Sequence, residues 1–120
     1  MINQKTIVYK KLKELEKENL ADQVCEEGSQ DWAKRKIVTY MELQNDPLDY
    51  GDDEEYSSTL AIKADAWGET SSEVSKLSIQ VVNKMREIGY ERTLYLDVND
   101  LNSNKKHKTM RFEKEEILYE

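Results

Sequence analysis

The chain offers few side chains that could do chemistry. Its one histidine, His107, stands among Lys105, Lys106 and Lys108. An imidazole works as a general base when a carboxylate orients it, and none adjoins it in the sequence. The surroundings read as a solvated basic turn. The one cysteine, Cys25, lies beside Glu26 and Glu27. Neighbouring carboxylates raise a thiol's pKa and oppose the thiolate, so Cys25 reads as a small unreactive residue. The chain has no phosphate-binding glycine loop, no dinucleotide fingerprint, no H-E-x-x-H and no C-x-x-C. Asp65 shares a strand face with Trp67, two residues on. If buried, that carboxylate needs a partner, and its sequence neighbours name none. Trp67 itself reads first as a core residue where a strand meets a helix, and second as cover for a subunit interface.

Charge is the more informative signal. The net charge is −7, and residues 42 to 56 hold seven acidic residues, Glu42, Asp46, Asp49, Asp52, Asp53, Glu54 and Glu55, with no Lys or Arg. The remaining chain is neutral by count. Nonspecific nucleic-acid binding needs clustered cations, so direct binding is not expected. A calcium loop of the EF-hand kind needs oxygens at alternating positions, and Pro47 and Leu48 fall where ligands should be. Two readings remain for this segment. It is a solvated, mobile loop, or it orders against a partner with a basic surface. Tyr50 and Tyr56 favour the second, because aromatic residues often anchor interfaces. The candidate assembly residues are therefore Asp49, Tyr50, Asp52, Asp53, Glu54, Glu55 and Tyr56.

These residues must be positioned by elements that the apolar spacing makes visible. Thr6 to Asn19 reads as a helix, with Ile7, Val8, Leu12 and Leu15 as a narrow stripe and Asn3 or Thr6 as its cap. Residues 21 to 31 show no period and read as connecting chain. Lys36 to Gln44 is a strand, Asn45 to Glu55 a loop broken by Pro47 and Gly51, and Tyr56 to Trp67 a second strand, so the loop closes a hairpin. Thr70 stands three residues before Glu73, the spacing of a capping box. Val74, Leu77, Val81, Met85 and Ile88 follow at helical spacing, and Gly89 sits where a left-handed cap is expected. Tyr90 to Asp97 and Lys106 to about Tyr119 supply two more strands. The expected fold is α+β in the order α-β-β-α-β-β. It is a mainly antiparallel sheet of about four strands with two helices packed on it, most simply on one face.

Composition bounds the rest. A chain of 120 residues suits one domain spanning 1–120, with the acidic loop at 45–56. Apolar residues make up only 38% and charged residues 36%, so partners could complete some of the buried area. A single cysteine fits a reducing compartment. No apolar run is long enough for a membrane span, and the N-terminal sequence lacks the features of a signal peptide.

In this setting the chain resembles the small tail-terminator and tail-completion proteins of long-tailed, non-contractile bacteriophages, also called tail-to-head joining proteins. Four features in order carry the resemblance: a short N-terminal helix; the strand Ile37-Val38-Thr39-Tyr40; the strand ending Ile62-Lys63-Ala64-Asp65-Ala66-Trp67 with its Thr70-Ser71-Ser72 helix entry; and the helix end Met85-Arg86-Glu87-Ile88-Gly89-Tyr90, followed by a late strand holding His107, Met110, Arg111 and Phe112. They span residues 6 to 112, and the acidic loop has no counterpart in the family pattern.

The resemblance implies a structural virion protein at the head–tail junction, present in the host cytoplasm during assembly. It implies a ring, commonly a hexamer, that caps the tail tube and meets the head-completion or connector protein, with no catalysis and no cofactor. Two readings from other classes stand beside it. One is an acidic inhibitor imitating nucleic-acid phosphates, although a mimic usually spreads its charge over a surface. The other is a small ligand-binding or enzymatic α+β domain, which would need a deep pocket with convergent polar groups.

Overall fold

Leu60, Ile62, Ala64 and Ala66 alternate with Ala61, Lys63, Asp65 and Trp67 along one strand. In the computed structural model the first set packs with residues of both helices, and the second set lies on the opposite face of the sheet. The structure describes residues 3–47, 56–98 and 105–119. The elements are α1 (Gln4–Lys17), β1 (Gln23–Glu26), β2 (Ile37–Pro47), β3 (Tyr56–Gly68), α2 (Ser71–Glu87), β4 (Glu91–Val98) and β5 (Lys106–Tyr119). The sheet order is β1-β2-β3-β5-β4, antiparallel except for β1 beside β2.

The α+β class, the antiparallel character and the placement of both helices on one face agree with the sequence reading. The strand count does not. There are five strands in the order α-β-β-β-α-β-β, because Gln23–Glu26 pairs in parallel with Ile37–Tyr40. Val24 is the one apolar residue in this short strand that enters the core, so no period marks it. Long-range pairing with β2 orders it. The chain between the two strands runs over the sheet face turned away from the helices, where Trp32 meets Trp67 edge-on with ring centroids 4.8 Å apart.

Both helices end in the same device. At α2, Tyr90 N–H donates to Met85 C=O at 3.0 Å and Gly89 N–H to Arg86 C=O at 3.0 Å, with Gly89 at φ 89°. At α1, Leu20 N–H donates to Leu15 C=O at 2.8 Å and Asn19 N–H to Glu16 C=O at 3.1 Å, with Asn19 at φ 59°. These are Schellman closures, and asparagine is the side chain that best tolerates the left-handed position after glycine. The start of α2 is capped by Thr70, whose hydroxyl accepts from Glu73 N–H at 3.1 Å. The reciprocal arm lands one residue earlier than a standard capping box, with Glu73 accepting from Glu69 N–H at 3.1 Å.

Val8, Leu12 and Leu15 of α1 join Val74, Leu77, Val81 and Met85 of α2 over Val38, Tyr40, Met110 and Phe112. Ile88 packs at the margin of this core, and Ile7 is exposed rather than part of the stripe. A polar joint locks α1 to the sheet. Gln4, which begins α1 in place of Thr6, is buried; its Nε2 donates to Glu42 Oε2 at 2.8 Å and Gln44 C=O at 3.0 Å. Its Oε1 accepts from Tyr90 Oη at 2.7 Å. Asn3 holds the N-cap position without a side-chain cap bond. Lys84 ties the helices together through Glu18 at 2.7 Å and Glu14 at 3.0 Å, and those hydrogen bonds hold its ammonium above the usual lysine range.

Candidate assembly surfaces

β2 and β3 form the hairpin that the acidic segment was expected to close. Their register runs from Ile37 opposite Trp67 to Pro47 opposite Ser58, with a bulge between Glu42 and Gln44. β2 extends further toward the tip than the sequence suggested, so Asn45 to Pro47 belong to it, whereas β3 begins at Tyr56 as expected. β1 covers β2 only as far as Tyr40, which leaves the remainder of β2 on an edge where a proline is tolerated. Asp49, Tyr50, Asp52, Asp53, Glu54 and Glu55 lie outside the described residues. Tyr56 opens β3, with its backbone opposite Tyr119. Glu42 does not belong to a free loop. Its carboxylate is held by Gln4 and by Asn45 Nδ2 at 3.3 Å.

The sheet face away from the helices carries a second group of residues that the topology alone brings together. Trp67 is buried there, not at the contact with α2, and its indole N–H donates to Thr39 Oγ1 at 3.2 Å. His107 stacks on it with ring centroids 3.6 Å apart and an interplanar angle of 10°. The His107 side chain is only 9% exposed, so it is not a solvated turn residue. Its sequence neighbours are lysines, but cross-strand pairing puts it opposite Trp67 and two residue pairs from Asp65, on the same face. His107 Nε2 lies 2.9 Å from Asp65 Oδ1, and Lys63 Nζ lies 3.1 Å from Asp65 Oδ2 and 2.6 Å from Glu27.

Asp65 is 1% exposed. Burial alone would raise its carboxyl pKa, but hydrogen bonds from His107 and Thr109 and the charge of Lys63 outweigh that and hold it below the usual carboxylate range. The partner that Asp65 required is thus threefold. A His–Asp pair is also part of many catalytic sites. Here the other ring nitrogen, Nδ1, is buried with no hydrogen-bond partner among the described residues. His107 also lines a shallow pocket with Ser71, Val74, Asp97, Val98 and Lys106, and its contact with Asp65 rigidifies this face. Cys25 is half-buried, and desolvation pushes its thiol up, away from the reactive thiolate. Among the described residues, no group of three or more His, Cys, Asp or Glu side chains could hold a metal ion. None of the described helices is long and apolar enough to cross a membrane.

Edges and exposed apolar groups mark the surface where other chains could meet this one. β4 is the last strand of the sheet, and Leu94 and Leu96 on it are 44% and 42% exposed. They share the outer face with Arg111 and Thr109 of β5. At the other side of the sheet Met41 and Leu43 of β2 are exposed as well. Unpaired strand edges of this kind can be completed by a neighbouring chain. The sequence missed these positions because exposure of an apolar residue in an amphipathic strand depends on which strands flank it.

No family model and no curated protein matches the chain. Among solved structures, the fold is similar to that of the gp17 protein of bacteriophage SPP1, with a TM-score of 0.54 and 18% identity, covering 91% of this chain and 86% of that one.

Proposed function

We propose that this chain is a structural protein of phage morphogenesis, a tail-terminator-type subunit that forms a ring, caps the tail tube and joins it to the head. The observation that carries this reading is the fold shared with a bacteriophage protein over 91% of the chain. The surface is consistent with it. Two exposed strand edges and a projecting hairpin on one subunit suit head-to-tail contacts, which close into a ring when the rotation allows. The partners are then further copies of the chain, the tail-tube protein and a head-completion or connector protein, and no cofactor is required. The site of action is the head–tail junction of the virion.

The test is co-assembly with the tail-tube protein of the same phage. Electron microscopy should show tubes bearing a ring at one end and no longer growing from it. The protein alone should be monomeric or weakly associated at low concentration. Tubes that elongate unchecked in its presence, or a protein that stays monomeric beside them, would remove the terminator reading.

A further inference from the structure

The four arginines of the chain divide into two pairs. Arg35 and Arg111 make ion pairs with Glu73 at 2.6 Å and Glu113 at 2.9 Å. Arg86 and Arg92 are exposed and have no carboxylate partner among the described residues. These two flank one shallow groove of about 190 Å³ between α2 and β4, lined by Ile79, Val82, Asn83, Arg86, Arg92 and Tyr95. Ile79 is 54% exposed, more than any other large apolar side chain in the described core and surface. The Arg92 guanidinium lies 4.4 Å from the Tyr95 ring centroid, with Lys108 Nζ 4.6 Å from the same ring. In a chain with 25 acidic and 18 basic residues, two unpaired guanidiniums beside an exposed isoleucine and a tyrosine are a selective arrangement. Guanidinium forks bind carboxylates in pairs, and such arginines are frequent anchors of interfaces.

We infer that this groove receives the acidic 48–55 segment of a second copy of the chain. The segment between Pro47 and Tyr56 supplies five carboxylates, Asp49, Asp52, Asp53, Glu54 and Glu55, together with Leu48 and Tyr50, and no cation. Its chemistry matches the groove in both charge and apolar content. The segment of the same copy falls short. The register sets Arg92 opposite Phe112 and Phe112 opposite Ile62, so Tyr56 lies six residues further along β3. That is roughly 20 Å along the strand, plus roughly 10 Å across two strand spacings. Eight residues anchored at both ends carry their backbone back at most about 15 Å, so with side-chain reach added the same copy's segment touches at most the Arg92 end and cannot lie along the groove to Tyr95 and Ile79. The contact therefore joins two different patches on two copies. Such a heterologous contact repeats from subunit to subunit and builds a ring when it closes. The inference rests on the ring reading above and gives it a specific self-contact.

Charge reversal tests it. The variant Arg86→Glu/Arg92→Glu should weaken self-association in sedimentation by about tenfold or more, with unchanged circular dichroism. The variant with Lys in place of Asp52, Asp53, Glu54 and Glu55 should do the same. A chain carrying both sets should associate again, because each acidic groove now faces a basic segment. If Arg86→Glu/Arg92→Glu assembles like the parent, the groove is not the contact, while the ring reading stands. If both single sets fail and the combined chain, still folded, does not recover, the acidic segment is not the occupant. If the parent itself stays monomeric at all concentrations and beside the tube protein, the ring reading falls and this inference with it.

Discussion

The two faces of the sheet are buried by different means. Under the helices, Leu60, Ile62, Ala64, Met110 and Phe112 meet aliphatic side chains from α1 and α2, and the stabilisation is non-directional. On the other face, Thr39, Asp65, Trp67 and His107 are buried in a polar and aromatic set joined by the Trp67–Thr39 hydrogen bond, the His107–Asp65 contact and the stacking of His107 on Trp67. The first face tolerates exchange among apolar shapes of similar volume. The second depends on each partner being present, since removing one leaves a buried charge or donor without its counterpart. A protein can thus present a firm outer face without covering it with helices.

The sharpest way to break this comparison is a charge on the helix side. Leu77→Asp puts an unpaired carboxylate among Val74, Val81 and Met85 and should cost about 4 kcal/mol or more, with a large fall in melting temperature. An unchanged melting temperature would show that this face does not carry the fold.

The outer face should respond less, and with a dependence on pH. Asp65→Asn keeps the shape but removes the charge that Lys63 and His107 face, and should cost about 1–3 kcal/mol at neutral pH. The folded-state pKa of Asp65 lies below its ordinary value, so the carboxylate's contribution is present above the unfolded pKa and is lost as pH falls through the folded one. The stability gap between parent and variant should therefore close below about pH 4, near the ordinary aspartate value. A gap that is constant from neutral pH to pH 2 would mean that shape, not charge, is what Asp65 supplies.

A smaller effect is expected at the boundary of the helix layer. Thr70→Ala removes the hydroxyl that accepts from Glu73 N–H and should lower stability by about 1 kcal/mol in denaturant unfolding. A loss well below that would mean that the Glu73 carboxylate, bound to Glu69 N–H and Arg35, holds the helix entry without the threonine. The smallest folding effect belongs to the acidic segment. Changing Asp52, Asp53, Glu54 and Glu55 to Ser should alter stability by no more than about 0.5 kcal/mol, the usual range for surface changes. Assembly should weaken, most visibly at low salt, where screening is least. On the proposed terminator reading, tail completion equal to the parent at every salt concentration would reduce the segment to a solvated hairpin tip.

Legibility followed the same division. The helix face was readable because its residues repeat with the period of their own element: Val74, Leu77, Val81 and Met85 on α2, and the even-numbered residues of β3. Thr70 and Gly89 marked the ends of α2 for equally local reasons, a hydroxyl three residues from a backbone donor and a residue free to take positive φ. His107 was misread because its neighbours in the chain are lysines, whereas its neighbours in space, Trp67 and Asp65, lie forty and forty-two residues earlier. β1 was missed because four residues with one inward apolar side chain carry no period. Of the seven proposed assembly residues, only Tyr56 falls within a described element.

The sequence by itself determined the two helices, the hairpin, the α+β class and the confinement of net charge to one segment, since each follows from local spacing or from counting. Only the tertiary structure decided the fifth strand, the burial of Asp65 beside His107, and the meeting of Arg86 with Arg92 at one groove. Those depend on strand register and on the packing of α2 over β4, and register is set by the sum of many long-range contacts.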